Sequence, residues 1–370
     1  MHISDVIADL EALAPPAYQE DYDNAGLLTG SPGWECRGVL VTLDATEEVV
    51  MEAFAKGCNL VVAHHPIIFR GLKKITGANY VERAVIAAIK HDIGIYAIHT
   101  NLDNKMAGGV NGRMADKLGL EDRRVLLPRV STLVKLYCFV PVEHLEAVRA
   151  AVFAAGAGHI GNYSECSFGV EGLGTFKAGE GAKPFVGRVG ERHSEKEVRF
   201  EVVLPASLKS VVVAAMIAAH PYEEVAYDLV PLANVHDGIG AGLVGELASP
   251  VEEEVLLEQL CGVFRVPVVR HTRLTGRPVR RVAVCGGAGS FLIFSALAAG
   301  ATFYLTSDVK YHEFFDANDR LVIADIGHFE SEQYTVDLLF DRLREKFRNF
   351  ALLKSDVRTN PVHYHIGLNS

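Results

Sequence analysis

The sequence has no long run of basic residues. Lys and Arg number 36 against 46 Asp and Glu, for a formal net charge of −10. Phosphate contacts need clustered Lys and Arg, so this balance weighs against nucleic acid as a partner. The densest basic segment, "VRHTRLTGRPVRR" at 269–281, reads as a loop leading into a strand. Metal-ribbon and disulfide spacing are missing as well. Cys36, Cys58, Cys138, Cys166, Cys261 and Cys285 are scattered, with no C-x-x-C pair. That argues against a disulfide framework and fits a reducing compartment, here taken as the cytoplasm. The N-terminus, "MHISDVIADLEALAP", lacks a basic start and carries acids inside its apolar pattern, unlike a signal peptide. Ile3, Val6, Ile7, Leu10 and Leu13 follow helical spacing instead. There is no P-loop and no Asn/Thr-Lys-x-Asp guanine motif.

One stretch imitates a membrane span. Residues 282–307, "VAVCGGAGSFLIFSALAAGATFYLTS", contain no charge, and their length alone would allow a crossing. Glycines divide the stretch into a strand, a short helix and a second strand, which predicts a buried β-α-β unit and no membrane partner.

What is present is a globular composition, 49% hydrophobic and 22% charged. A chain of 370 residues, at roughly 150 per domain, predicts two or three domains. The first third alternates strand and helix. "GVLVTLD" (38–44), "NLVVAHH" (59–65) and "IGIYAIHTNLD" (93–103) carry strands. "TEEVVMEAFAKG" and "YVERAVIAAIKHDIG" are the helices between them, the first with Thr46 as N-cap. The last third repeats the pattern with strands at 280–287, 301–308 and 320–328, then a helix over "ESEQYTVDLLFDRLREKF". Alternation of this kind predicts right-handed crossovers and a mostly parallel sheet flanked by helices. The middle differs. "VKLYCFVPV", "EVRFEVVLP" and "VAYDLVPL" are strands, "EHLEAVRAAVFAAGAG" and "LKSVVVAAMIAAH" are helices, and a Gly-rich stretch lies between. The order predicts β-α-β-β-α-β, a ferredoxin-like α+β insert. The expected fold is therefore a discontinuous α/β domain, 1–129 and 236–370, interrupted by an insert at 130–235.

Ligands of open α/β sheets bind outside the carboxyl ends of the strands. Here those ends carry Asp44, His64 and His65, His99 with Asp103 close after it, Asp308, Asp325 and His328. If the strands share one sheet, imidazoles and carboxylates gather at one edge. His328 and Glu332 are four apart at a helix start, so both project from one face, as in many metal half-sites. Neighbouring strand residues point to opposite faces, so His64 and His65 would suit two ions better than one. Imidazole with carboxylate suits Zn, Mn, Fe, Co or Ni better than Ca or Mg. Each residue alone has a plainer reading. Asp44 reads as a helix cap, His99 as a satisfied core histidine, and "HxxxE" as a surface pair.

Six segments together resemble the Nif-three-like proteins, often called GTP cyclohydrolase type-two homologues or dinuclear metal centre proteins. They are "YDNAGLLTG" (22–30), "VVAHHPIIF" (61–69), "HTNLDNKMAGGVN" (99–111), "VCGGAGS" (284–290), "LTSDVKYHE" (305–313) and "ADIGHFESE" (324–332). The long form of that family carries an insert related to small trimeric signalling and cation-tolerance proteins, which "GAGHIGNYSECSF" (156–168) and "HPYEEVAYDLVPL" (220–232) resemble. The resemblance implies two divalent transition-metal ions per subunit. His64 and Asp103 would hold one, His65 and His328 the other, and Glu332 would bridge them. It also implies a toroidal homohexamer with the sites facing an internal cavity and the insert capping its openings. The family often has Gly at the position of Ser307 and Trp at that of Tyr22.

Two adjacent ions can activate a water and stabilise the attacking and leaving oxygens, so no side chain is assigned as nucleophile. The leading expectation is a metal-dependent hydrolase, GTP cyclohydrolase-like or acting on another nucleotide or phosphoester. The alternatives are a metal-binding regulator or metal-handling protein without turnover, and a protein-binding scaffold. "CGGAGS" reads as a tight turn, with an anion seat as the other reading. Asp308, Lys310 and His312 could support the site or meet substrate. His220, Glu223 and Glu224 read as a plain turn, and His159 and Tyr163 as cavity or interface residues.

Overall fold

The computed structural model describes residues 1–365. The chain divides into two compact units: Met1–Pro128 with the segment from Asp237 onward, and Arg129–His236. The first segment holds β1 (Gly26–Thr29), β2 (Val39–Asp44), β3 (Leu60–His65), β4 (Gly94–Ala97) and β5 (Glu121–Pro128). The interrupting unit holds β6 (Leu133–Pro141), β7 (Ser167–Lys177), β8 (Arg192–Pro205) and β9 (Tyr227–Pro231). The returning segment holds β10 (Gly240–Val251), β11 (Arg270–His271), β12 (Val279–Ala288), β13 (Phe303–Ser307), β14 (Val322–Asp325) and β15 (Leu352–Lys354).

The single shared sheet that the strand ends suggested is in fact two. One has the order β1-β4-β3-β2-β15, the other β11-β14-β13-β12-β10-β5. In the first, β15, β2, β3 and β4 run parallel, and only β1 is antiparallel. The second is mixed. β12, β13 and β14 are parallel, while β10 pairs antiparallel with both β12 and β5, and β11 with β14. Each half of the sequence supplies three consecutive parallel strands joined by two crossovers. The long strands β5 and β10 extend the second set by antiparallel pairing, β10 lying between β5 and β12.

Both faces of the first sheet are covered, which explains its near-continuous apolar strands. Val39, Val41, Leu60 and Val62 face one cluster with Leu339 and Leu343. Leu40, Val61 and Ala63 face the other, with Val49 and Ala84. The second sheet is covered likewise, by Phe264 and Leu260 on one side and Leu292 and Ile293 on the other. Its apolar stretch at 282–307 forms β12, the short helix Ile293–Ala298 and β13. No described helix is long and apolar enough to cross a membrane.

Two local departures shape the site. The strand expected within 93–103, with its end at His99, stops at Ala97, and Thr100–Asp103 turn into a short helix. The Asn101 side chain accepts the His99 N–H at 2.9 Å, an alternative to a ladder partner. The final helix is broken into His328–Glu332 and Thr335–Lys346. Gln333 Nε2 donates to the Glu330 carbonyl at 2.9 Å and to the Phe264 carbonyl at 2.7 Å, which ends the first piece. Thr46 does cap its helix, accepting the Val49 N–H at 3.4 Å.

The second unit is a four-stranded antiparallel sheet, β7-β8-β6-β9. Helices Leu145–Ala154 and Lys209–Ala219 bury Val148, Val152, Val212 and Met216 with Leu136, Phe200 and Val202.

Phe303 on β13 is fully buried in the second sheet's core. Phe303→Ala is expected to cost about 3–5 kcal/mol of stability, read by equilibrium chemical unfolding.

Candidate metal centre

The carboxyl ends of the two sheets meet. His64 and His65 are the last residues of β3. Asp103 ends the short helix Thr100–Asp103, held by Asn111 Nδ2 donating to its carbonyl at 3.0 Å. His328 and Glu332 open and close the short helix after β14. All five sequence-derived residues come together. His64 Nε2 lies 3.5 Å from Asp103 Oδ1 and 3.8 Å from Glu332 Oε2. His65 Nε2 lies 2.9 Å, and His328 Nε2 3.2 Å, from the same Glu332 oxygen. The His65 and His328 Nε2 atoms are 3.3 Å apart. His65–His328–Glu332 and His64–Asp103–Glu332 are each compact enough to hold a metal ion, and Glu332 belongs to both.

The far side of each ring explains why these nitrogens converge. His64 Nδ1 is 2.8 Å from the Ile98 carbonyl, His65 Nδ1 2.8 Å from Asp44 Oδ1, and His328 Nδ1 2.7 Å from Asp308 Oδ2. These partners only accept, so each Nδ1 carries the proton. In a neutral ring Nε2 then presents a lone pair, the arrangement of metal-ligating histidines. The fit can be tested on two atoms. His64 Nε2 and Asp103 Oδ1 are both buried without a hydrogen-bond partner. Two acceptors facing each other are costly unless a cation lies between them. The donor set therefore suits a divalent transition metal.

The electrostatics agree. Burial opposes ionisation of Glu332, but His328 and His65 outweigh it and hold the carboxyl well below its ordinary range. Burial pushes the Asp103 carboxyl up, and the Glu332 charge adds to this against the opposing pull of His64. Burial alone would lower the histidines. Glu332 and Asp44 instead raise His65 to about 10, and Glu332 and Asp308 raise His328 to about 11. Without a metal, protons supply the positive charge that Glu332 demands.

Several neighbours differ from their plain sequence readings. Asp44 is not a helix cap; it holds His65 Nδ1. Asp308 has φ 54°, a left-handed conformation that Asp tolerates, and this turn aims its carboxylate at His328. His99 stands edge-on to His64 and His65, with ring centroids 5.3 and 5.4 Å away. Its Nδ1 donates to Asp23 at 2.7 Å, and Thr100 also donates to Asp23 through its N–H and hydroxyl. Sequence reasoning assigned Asp23 no role, although it lies in the matched segment "YDNAGLLTG". Lys310 and His312 are exposed. Lys310 donates its backbone N–H to Glu313 at 2.8 Å. The "CGGAGS" segment, read as a tight turn, is the end of β12, whose register with β13 shifts between Val284 and Ala288 before a 3-10 turn starts at Ser290. Gly287 sits at φ +65°, and a Cβ there would fall 2.5 Å from Glu332 Oε1, so a side chain would occupy the carboxylate's place. Ser307 is buried and donates its hydroxyl to the Gly287 carbonyl at 2.6 Å, bracing that turn.

In the second unit, His220 Nε2 donates to the Phe139 carbonyl at 3.0 Å and its Nδ1 accepts the Tyr222 N–H at 3.1 Å. Glu223 accepts the Lys183 N–H at 2.7 Å. Neither these residues nor Glu224 belongs to a metal-capable cluster among the described residues. His159 and Tyr163 are exposed.

A two-sheet α/β unit with imidazoles and carboxylates converging at its strand ends defines a class: α/β proteins with groups that could bind a metal ion. Within that class the chain belongs to the Duf34/NIF3 (NGG1p interacting factor 3) family, whose model matches residues 1–361. A Halalkalibacterium halodurans relative, a GTP cyclohydrolase 1 type 2 homolog, is 43% identical over 364 residues, covering 97% of this chain and 98% of its own. A Bacillus subtilis protein of the same name is 40% identical over 367 residues, covering 97% of each chain. The crystal structure of a Bacillus cereus protein related to NIF3 superposes with a TM-score of 0.86 at 39% identity, covering 99% of both chains.

The histidine protonation generates a pH prediction. His65 and His328 carry protons in the metal-free chain at neutral pH, and a metal requires their Nε2 lone pairs. Metal uptake should therefore release about two protons, and affinity should rise with pH from 6 to 8. Calorimetric titration with Zn²⁺ in buffers of different ionisation enthalpy measures the release; affinity independent of pH would contradict this protonation.

Proposed function

We propose that this chain is a metal-dependent hydrolase using two divalent ions per subunit. The observation that carries the reading is the single Glu332 oxygen lying 2.9 Å from His65 Nε2, 3.2 Å from His328 Nε2 and 3.8 Å from His64 Nε2. One carboxylate stands between two donor sets. His64 and Asp103 would hold one ion, His65 and His328 the other, and Glu332 would touch both. Zn, Fe, Mn, Co and Ni suit these ligands. Such a pair, when bound, polarises a substrate oxygen and makes water nucleophilic at neutral pH.

The chain's own residues supply the rest. Asp44 and Asp308 keep the imidazoles oriented and basic through Nδ1. His99 is fixed by Asp23 and faces the His64 and His65 rings edge-on. The substrate class is a nucleotide or other phosphoester, including purine ring opening of the GTP cyclohydrolase kind, in keeping with the names of the relatives. The antiparallel order β7-β8-β6-β9 with two helices supports a ferredoxin-like reading of the second unit. By family likeness the assembly is a cytoplasmic toroidal hexamer.

The test combines metal analysis with a hydrolysis screen of nucleotides and phosphoesters. The intact protein should carry two ions per chain and turn over at least one compound. Glu332→Ala should lose both ions and at least 100-fold in rate, roughly the scale of removing a directly participating group. Two ions with no turnover would leave a metal-handling protein in place of a hydrolase. Metal content unchanged in Glu332→Ala would overturn the ligand set.

A further inference from the structure

The C-terminal segment reaches the metal centre from behind. β15 runs parallel to β2, with Lys354 opposite Val41, and Ser355 extends the ladder by donating its N–H to the Val41 carbonyl at 2.9 Å. This aims the following residues along β2 toward Asp44 at its carboxyl end. The segment is fastened on the way. The Asp356 N–H donates to Glu52 at 2.8 Å, and Val357 packs against the apolar cluster beneath β2 and β3.

Thr359 and Asn360 then diverge onto the two carriers of the site. The Thr359 hydroxyl donates to Asp44 Oδ2, while Asp44 Oδ1 accepts from His65 Nδ1. Both oxygens of Asp44 are thus engaged, and the carboxylate cannot rotate without breaking one bond. Asn360 is buried and donates its Nδ2 to Glu330 Oε1 at 2.7 Å. Glu330 is itself buried and lies between His328 and Glu332 on the same short helix. Consecutive residues therefore tie the His65 support on the first sheet to the His328–Glu332 helix on the second.

We propose that residues 355–362 form a clamp, in which Thr359 and Asn360 set the spacing between His65 and the His328–Glu332 helix. This rests on the two-ion reading of the cluster. The short helix needs such help, since five residues close few backbone bonds of their own. The clamp acts on the ion assigned to His65 and His328. The ion assigned to His64 and Asp103 shares Glu332, but its other two ligands are held by Ile98 and Asn111. These are positioning roles, because Thr359 and Asn360 bond Asp44 and Glu330, which stand behind the proposed ligands.

The experiment titrates metal-free, full-length protein with Co²⁺ and follows absorbance. Thr359→Val and Asn360→Ala should each weaken one ion by about 10- to 100-fold, the range for groups that orient metal ligands. The other ion should weaken less, since His64 and Asp103 have separate supports and only Glu332 is shared. Thr359→Ser should restore binding. Asp356→Ala, which removes an exposed ion pair on the same segment, should change neither ion. Coupling is reciprocal, so metal should in turn protect the clamp. In the unmodified chain, hydrogen exchange across 355–362 should slow on adding Co²⁺. That measurement decides the matter even if a variant fails to fold. Unchanged exchange, full affinity in both variants, or equal loss of both ions would overturn the clamp. A wild-type chain taking fewer than two ions would remove the two-ion reading and the clamp with it; two ions with unaffected variants would remove the clamp alone.

Discussion

A carboxylate with 3% of its surface exposed must find positive charge nearby or remain protonated, because burying an unpaired anion is prohibitively costly. Glu332 is that carboxylate, and the surrounding architecture answers its demand. Three imidazoles aim their Nε2 atoms toward it, from the end of β3 and from one helical turn earlier on its own helix. Their Nδ1 atoms are committed elsewhere, to a carbonyl and two carboxylates. The same nitrogens can carry protons or face a cation, and either state neutralises Glu332.

The fold makes this possible by bringing two sheets end to end. Strand interiors are apolar on both faces, so polar groups are tolerated only where strands stop. Alternation then separates His64 from His65: one continues the Leu60–Val62 face, the other the Val61–Ala63 face. Their rings diverge toward different partners, Asp103 and His328, and share Glu332. On the opposite side the glycine turn of β12 comes close enough that only hydrogen occupies the space at Gly287. The site is thus built from segments far apart in sequence, and its geometry depends on contacts that hold the two sheets in place.

Much of the site was legible from residue type and strand position. His64 and His65 end β3, while Asp103, His328 and Glu332 follow strands in short helices, so approximate strand position was enough to gather them. The supporting residues were less legible. Asp44 resembled an N-cap because it precedes a helix by a few residues, and only the fold places His65 beside it. Asp23, Thr359 and Asn360 act across separations that no local pattern encodes. The number of sheets was misjudged for a related reason. Strand-helix alternation specifies parallel neighbours within a run, but says nothing of whether two runs join edge to edge. The short helix at 100–103 and the helix break at 333 depend on side-chain bonds of Asn101 and Gln333, which compete with regular structure only in their tertiary setting.

In the proposed site, Glu332 joins two metal positions. Anomalous diffraction from crystals grown with Zn²⁺ tests it most directly. The account predicts two peaks per chain, each about 2.0–2.2 Å from a Glu332 oxygen. One should also contact His64 and Asp103, and the other His65 and His328. A single peak, or ions bound without Glu332, would contradict it.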